Sequence, residues 1–248
     1  MFKLFRLLFV MSLLFLAASY LIKDRYPNVS SIDKRLLQEP IQSERVRIHT
    51  ITHEENNITY TIKPLHEYEL YGLIVSQHVS QSFPNVYHRL WKDFINTKDI
   101  CVVWGKNVEM NVYQKLHFKN GSYTCQVSTG YNEAWQNFNV NQFSNNHLLV
   151  VDPKIQDIID RVRPGDQIRI KGYLAEYSHD EGFTRGTSTT RTDDGDGACE
   201  TILVTEAEIL KPSYEIVDRT YELLLYAVPG LFILGFMAPI FMPMRYER

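Results

Sequence analysis

The stretch Phe183–Glu200, FTRGTSTTRTDDGDGACE, gathers the side chains best suited to chemistry. Arg185 and Arg191 flank a hydroxyl-rich run, Gly-Thr-Ser-Thr-Thr, that includes Ser188. A guanidinium presents several N–H donors in a planar fork that matches an oxyanion. Two of them with hydroxyls between therefore predict a site for a small anion or a glycan. Asp194, Asp196 and Glu200 echo part of an acidic calcium loop, but the full spacing and the flanking helices are missing, and no metal site is expected. The same composition also suits a solvated connection between two strands, in which Asp and Gly serve turns. Tyr131 and Trp135, in a segment rich in Asn, Gln and Ser, are the aromatics placed to stack on a sugar. Trp91 and Trp104 fall in patterns expected of the core.

The familiar catalytic patterns are missing from the sequence. A serine nucleophile ahead of the Pro164-Gly-Asp166 turn is ruled out because residues 152–164 contain no serine, which leaves Lys171 nothing to activate. Ser188 lies in neither a GxSxG elbow nor an SxxK motif. The eight histidines are scattered along the chain, and Cys101, Cys125 and Cys199 form no CxxC or other zinc spacing. No cofactor and no enzyme activity are expected.

The elements that must carry these residues begin with two apolar segments. Residues 7–22 read LLFVMSLLFLAASYLI, and residues 223–242 read LLLYAVPGLFILGFMAPIFM without a charge. A bilayer core of about 30 Å needs about 20 apolar residues in a helix. The second segment meets that length, and the first meets it if Arg6 snorkels to the interface. A signal peptide is the alternative for the first, with Ala17, Ala18 and Ser19 near its end, but Tyr20, Leu21 and Ile22 continue it as an anchor. Lys3 and Arg6 precede one segment and Arg245 and Arg248 follow the other. The positive-inside bias then expects both termini in the cytoplasm and the middle outside it, periplasmic in a Gram-negative cell with the helices in its inner membrane. Of the net charge of −3, residues 1–23 carry +3 and residues 222–248 carry none, leaving −6 for residues 24–221. That balance argues against a phosphate-binding surface for nucleic acid.

Between the anchors, residues 24–67 read as a linker and a hairpin, Arg45–Ile51 with Ile58–Ile62. Strand patterns follow at Tyr68–Ser76, Ile100–Gly105, Ser122–Ser128, Gln167–Tyr177 and Cys199–Leu210. Helical spacing marks Pro84–Asn96, and Asp152-Pro153 caps a second helix. Residues 129–147 lack a period and read as a long loop. With the hairpin and first helix set aside, the order is three strands, a helix and two strands, and Pro164-Gly-Asp166 feeds the fourth strand. This order resembles the five-stranded oligonucleotide/oligosaccharide-binding (OB) barrel over about residues 68–210. The resemblance implies a mainly β (α+β) fold, an OB-like domain over residues 68–212 between an anchor at 1–23 and a second helix with a short tail at 213–248. It places Cys125 on the third strand, within reach of Cys101 or Cys199, and favours the Cys101–Cys125 pair across a long hairpin. The function expected is a tethered binding or scaffold domain in assembly or regulation of an envelope complex, with a membrane or envelope protein as partner. A glycan or small-anion module using Arg185, Arg191, Ser188, Tyr131 and Trp135 is the alternative.

Overall fold

The computed structural model describes residues 2–22, 26–80, 86–121, 123–190, 192–193, 199–213 and 215–241. In chain order the elements are α1 (Phe2–Ile22), β1 (Ile41–Arg45), β2 (Ile51–Glu55), β3 (Ile58–Val79), α2 (Val86–Leu90), β4 (Asn96–Val103), α3 (Lys106–Glu109), β5 (His117–Gly121) and β6 (Thr124–Ser128). Then come α4 (Asn132–Asn137), β7 (Phe143–Leu149), α5 (Pro153–Arg161), β8 (Gln167–His179), β9 (Thr184–Arg185), β10 (Glu200–Lys211), α6 (Glu215–Phe232), a π-helical turn (Ile233–Met237) and α7 (Ala238–Phe241). The chain divides into two compact units: residues 1–25 with 214–248, and residues 26–213.

The first unit is a pair of apolar helices, each long and apolar enough to cross a membrane: Phe2–Ile22 and Arg219–Met237. They pack antiparallel, since Phe9 meets Phe232 and Phe236 while Tyr20 meets Tyr221. Gly235 makes the close approach possible, because a Cβ there would stand 3.2 Å from Arg6 N and 3.3 Å from Arg6 Cγ. Arg6 is held within the helix pair. Its Nε donates to the Gly235 carbonyl at 3.0 Å, and its guanidinium lies 5.1 Å from the Phe236 ring centre. The receiving carbonyl belongs to the π-turn, where the regular helical bonding pattern is interrupted.

The second unit is a mixed α+β body dominated by one large sheet with a ring of strands. β3 pairs with β4, β4 with β7, β7 with β10, β10 with β8, and β8 returns to β3. Only the β10–β7 pairing is parallel among these. β3 spans 22 residues and serves both neighbours by bending at register shifts, between Pro64 and His66 against β8 and between Ile74 and Ser76 against β4. β8 and β10 close tightly because Gly172 has no side chain: a Cβ there would lie 2.0 Å from the Leu203 carbonyl oxygen. Inside lies a core of Tyr68, Ile74, Trp104, Leu148, Ile170 and Ile202 with their neighbours. Ile155, Ile159 and Val162 of the α5 segment join that core, and Asp152 caps the helix by accepting from Lys154 N at 2.8 Å. At the other end of α5 the buried Lys98 ammonium donates to the carbonyls of Ile159, Asp160 and Val162, at 2.6, 3.2 and 3.3 Å. A cation there complements the negative end of the helix dipole.

Several local expectations are corrected. The hairpin pairs Ile51–Glu55 with Ile58–Ile62, not Arg45–Ile51. Its two-residue turn is Asn56-Asn57, both with positive φ (53° and 62°), the geometry that matches strand twist. The long helix over 84–96 shortens to Val86–Leu90, and residues 96–103 join a strand. Residues 129–147 are not one loop, since they hold α4 and most of β7. The third strand of the ring is therefore β7, and β6 pairs with β5 in a separate two-stranded sheet. Cys101 and Cys125 do stand at disulfide distance, with a Cα–Cα separation of 6.2 Å, but the bridge ties the ring to this side hairpin instead of crossing one ladder.

Candidate ligand-binding cleft

A polar network begins at β4 and β7, which run side by side and set Asp99 opposite His147. Both side chains are fully buried. The Asp99 Oδ1 atom lies 2.7 Å from His147 Nδ1 and accepts from Asn96 Nδ2 at 3.1 Å, while Oδ2 accepts from Tyr123 N at 3.3 Å. Burial pushes the Asp99 carboxyl up, but the His147 imidazole and the remaining donors outweigh it and hold it below the ordinary value. On its far side His147 Nε2 meets Arg185 Nη2 at 2.5 Å. These partners assign the imidazole: Nδ1–H donates to Asp99 and Nε2 accepts from the guanidinium.

Arg185 sits on β9, a two-residue strand that among the described residues pairs only with β8. Its guanidinium carbon lies 4.1 Å from the centre of the Tyr123 ring, a cation–π contact. Tyr123 adopts φ 63°, an uncommon conformation for an aromatic residue, and many contacts hold it there. Its hydroxyl donates to Asp93 Oδ2 at 2.9 Å, and its ring stacks on His88 (4.3 Å) and Trp91 (5.3 Å). Tyr177 donates to the other Asp93 oxygen at 2.8 Å, and His88 Nδ1 lies 3.2 Å from Oδ2. Burial first, and the Asp93 charge second, push both phenols well above their ordinary range, so they stay donors. The fully buried Asp93 carboxylate is thus surrounded by partners, as a buried charge requires.

Above this network lies a cleft of about 480 Å³. Its walls come from the connection between β3 and β4, with Trp91 and Lys92, and from the end of β8 through β9, with His179, Glu181, Phe183 and Arg185. The Trp91 and Phe183 rings stand 6.3 Å apart, and Phe183 stacks on His179 at 5.4 Å. Lys92 pairs with Glu181 at the rim. Trp91 is 45 % exposed, so it is a cleft residue and not the core residue its spacing suggested; Trp104 is fully buried.

The residues singled out in the sequence are distributed unevenly. Arg185 is part of the cleft. Arg191, Asp194 and Asp196 lie outside the described residues. Ser188 is buried, and its hydroxyl donates to Asp193 Oδ2 at 2.6 Å and accepts from Thr190 N at 3.2 Å, which makes it a turn residue in this geometry. Glu200 opens β10 and is buried. Tyr131 and Trp135 are exposed at α4, beyond the five-residue strand β6 that separates them from Tyr123. At ~3.3 Å per residue that strand alone spans about 16 Å. Cys199 is free and half-buried, with its thiol pushed up by burial. Among the described residues no three His, Cys, Asp or Glu side chains converge as a metal site. Asp93, Asp99, His88, His147 and Tyr123 were missed, because the contacts that gather them into one network span 24–84 residues of sequence. No protein-family model, curated protein or solved structure matches the chain.

Proposed function

We propose that this chain is an envelope protein in which two membrane-spanning helices hold an OB-type domain outside the cytoplasm, and that the domain binds a partner during assembly or regulation of an envelope complex. The observation that carries the reading is the ring order. Numbering ring strands along the chain, β3, β4, β7, β8 and β10 pair as 1-2-3-5-4-1, with the third and fifth parallel and α5 between the third and fourth. That order supports an OB-type reading of the ring. Such barrels bind ligands on a face flanked by the connections between strands 1 and 2 and between strands 4 and 5, and those two connections wall the cleft. Fold alone does not assign a task, and the acidic balance of residues 24–221 turns the reading away from nucleic acid. The Cys101–Cys125 pair suits an oxidising compartment. Extraction of the full chain in mild detergent, wild type beside a Trp91→Ala, Phe183→Ala pair, tests it: a stoichiometric companion that the substituted protein loses supports the reading, and a companion retained by both moves the contact off the cleft.

A glycan or small-anion module is the second reading, favoured specifically by Arg185 at the cleft wall beside Trp91 and Phe183. It shares the cleft with the first and differs in what fills it.

A further inference from the structure

We infer that the cleft is a receptor site for a sugar that carries a single carboxylate, with Arg185 binding the carboxylate and the Trp91 and Phe183 rings facing the sugar ring. The inference rests on the second reading above and adds the ligand class. It starts from an imbalance at Arg185. A guanidinium has five N–H donors, and among the described residues Arg185 engages one atom, His147 Nε2, and no carboxylate. Its positive charge is instead spread over the face of Tyr123. The two acidic groups in that chain of contacts do not touch it: Asp99 is one imidazole away and already has His147, Asn96 and Tyr123 as partners, and Asp93 is one phenol away and already has Tyr123, Tyr177 and His88. Arg185 is thus fixed from behind and short of an anion in front, where the cleft begins.

The rest of the cleft decides which anion. Lys92, the other cation in its wall, is paired with Glu181. One guanidinium balances one negative charge, and its fork matches a carboxylate in two parallel bonds. A phosphate dianion would need a second unpaired cation, and within residues 24–221, which carry −6, a polyanion would be repelled. Beside Arg185, Trp91 and Phe183 give an apolar surface suited to the C–H face of a pyranose. At about 480 Å³ the cleft holds one or two sugar rings and stays open at one side for a longer chain.

The test uses the full chain in lipid nanodiscs and follows the Trp91 indole N–H signal by NMR during titration with glucuronate, glucose and glucose 6-phosphate. The account expects glucuronate to shift that signal and to bind about tenfold or more tightly than glucose, the worth of a charge-assisted hydrogen bond. Arg185→Gln should lose about tenfold in glucuronate affinity while glucose is unaffected, and Arg185→Lys should lose less. Retention of the wild-type thermal transition separates lost binding from lost folding; if Arg185→Gln fails to fold, Arg185→Lys and the three-sugar ranking on wild type decide. Glucose 6-phosphate binding as tightly as glucuronate, or glucose matching it, overturns the carboxylate assignment and leaves the cleft a binding site. Silence of Trp91 toward all three sugars overturns the assignment as well. In that case a protein companion lost with Trp91→Ala, Phe183→Ala would still uphold the first reading.

Discussion

A Cys101→Ala, Cys125→Ala double substitution frees the β5–β6 hairpin from its covalent tie to the ring. The two residues are 24 apart in sequence. In the chain-entropy model, opening a loop of that size lowers stability by about 3.5 kcal/mol, because the unfolded chain regains the freedom the bridge had removed. The hairpin keeps other ties in the folded state: Asn120 N donates to Ser76 Oγ at 2.9 Å, Asn120 Nδ2 to Asn145 Oδ1 at 2.9 Å, and Tyr123 N to Asp99. The native cleft should therefore survive while the unfolding equilibrium moves. For a domain of this size each kcal/mol shifts the midpoint by about 2–4 °C, so a fall of about 7–14 °C is expected. Tryptophan fluorescence on heating, with the full chain in detergent and Cys199→Ala as a control, measures it. A fall of less than about 3 °C would refute the reasoning, as would an equal fall in the Cys199→Ala control.

Three further outcomes follow from particular contacts. Lys98→Met leaves the Ile159, Asp160 and Val162 carbonyls without their donor and should cost about 1–3 kcal/mol in urea unfolding. The Lys98 pKa, lowered chiefly by burial to about 8 from 10.5, makes the folded state give up that proton first. Wild-type stability relative to Lys98→Met should then rise with pH between about 8 and 10.5, by up to ~3 kcal/mol, and a flat difference would contradict it. Gly172→Ala drives a Cβ into the Leu203 carbonyl and should cost about 3 kcal/mol or more, read as lost protease resistance. Gly235→Leu should separate the terminal helices and lower the oxidative cross-linking yield of a Phe9→Cys, Phe232→Cys pair, which wild-type packing supports.

What the sequence revealed depended on how local its signals were. The two apolar segments, the capped helix α5 and the alternation of β8 were legible because each is written in consecutive residues. β7 was not, since Phe143-Ser-Asn-Asn-His-Leu-Leu149 reads as a polar loop. Its polar side chains are buried because each has a partner supplied by the fold, such as Asn146 Nδ2 with Ser144 Oγ at 2.8 Å and His147 with Asp99 and Arg185. Arg185 was visible as a guanidinium in a polar loop, but its confinement by His147 and Tyr123 arises only when β7, β6 and β9 meet. Trp91 misled for the reverse reason: its helical spacing suggested a core face, and the helix ends before it.

The most direct test of the central claim is the side of the membrane on which residues 26–213 lie. A Ser128→Cys, Cys199→Ala chain with an epitope tag at each terminus, expressed in a Gram-negative host, offers one exposed thiol at the end of β6. The account predicts that a membrane-impermeant maleimide labels this thiol in intact spheroplasts, and that both tags resist protease until the membrane is broken. Tags digested in intact spheroplasts, with a thiol labelled only after lysis, would contradict it.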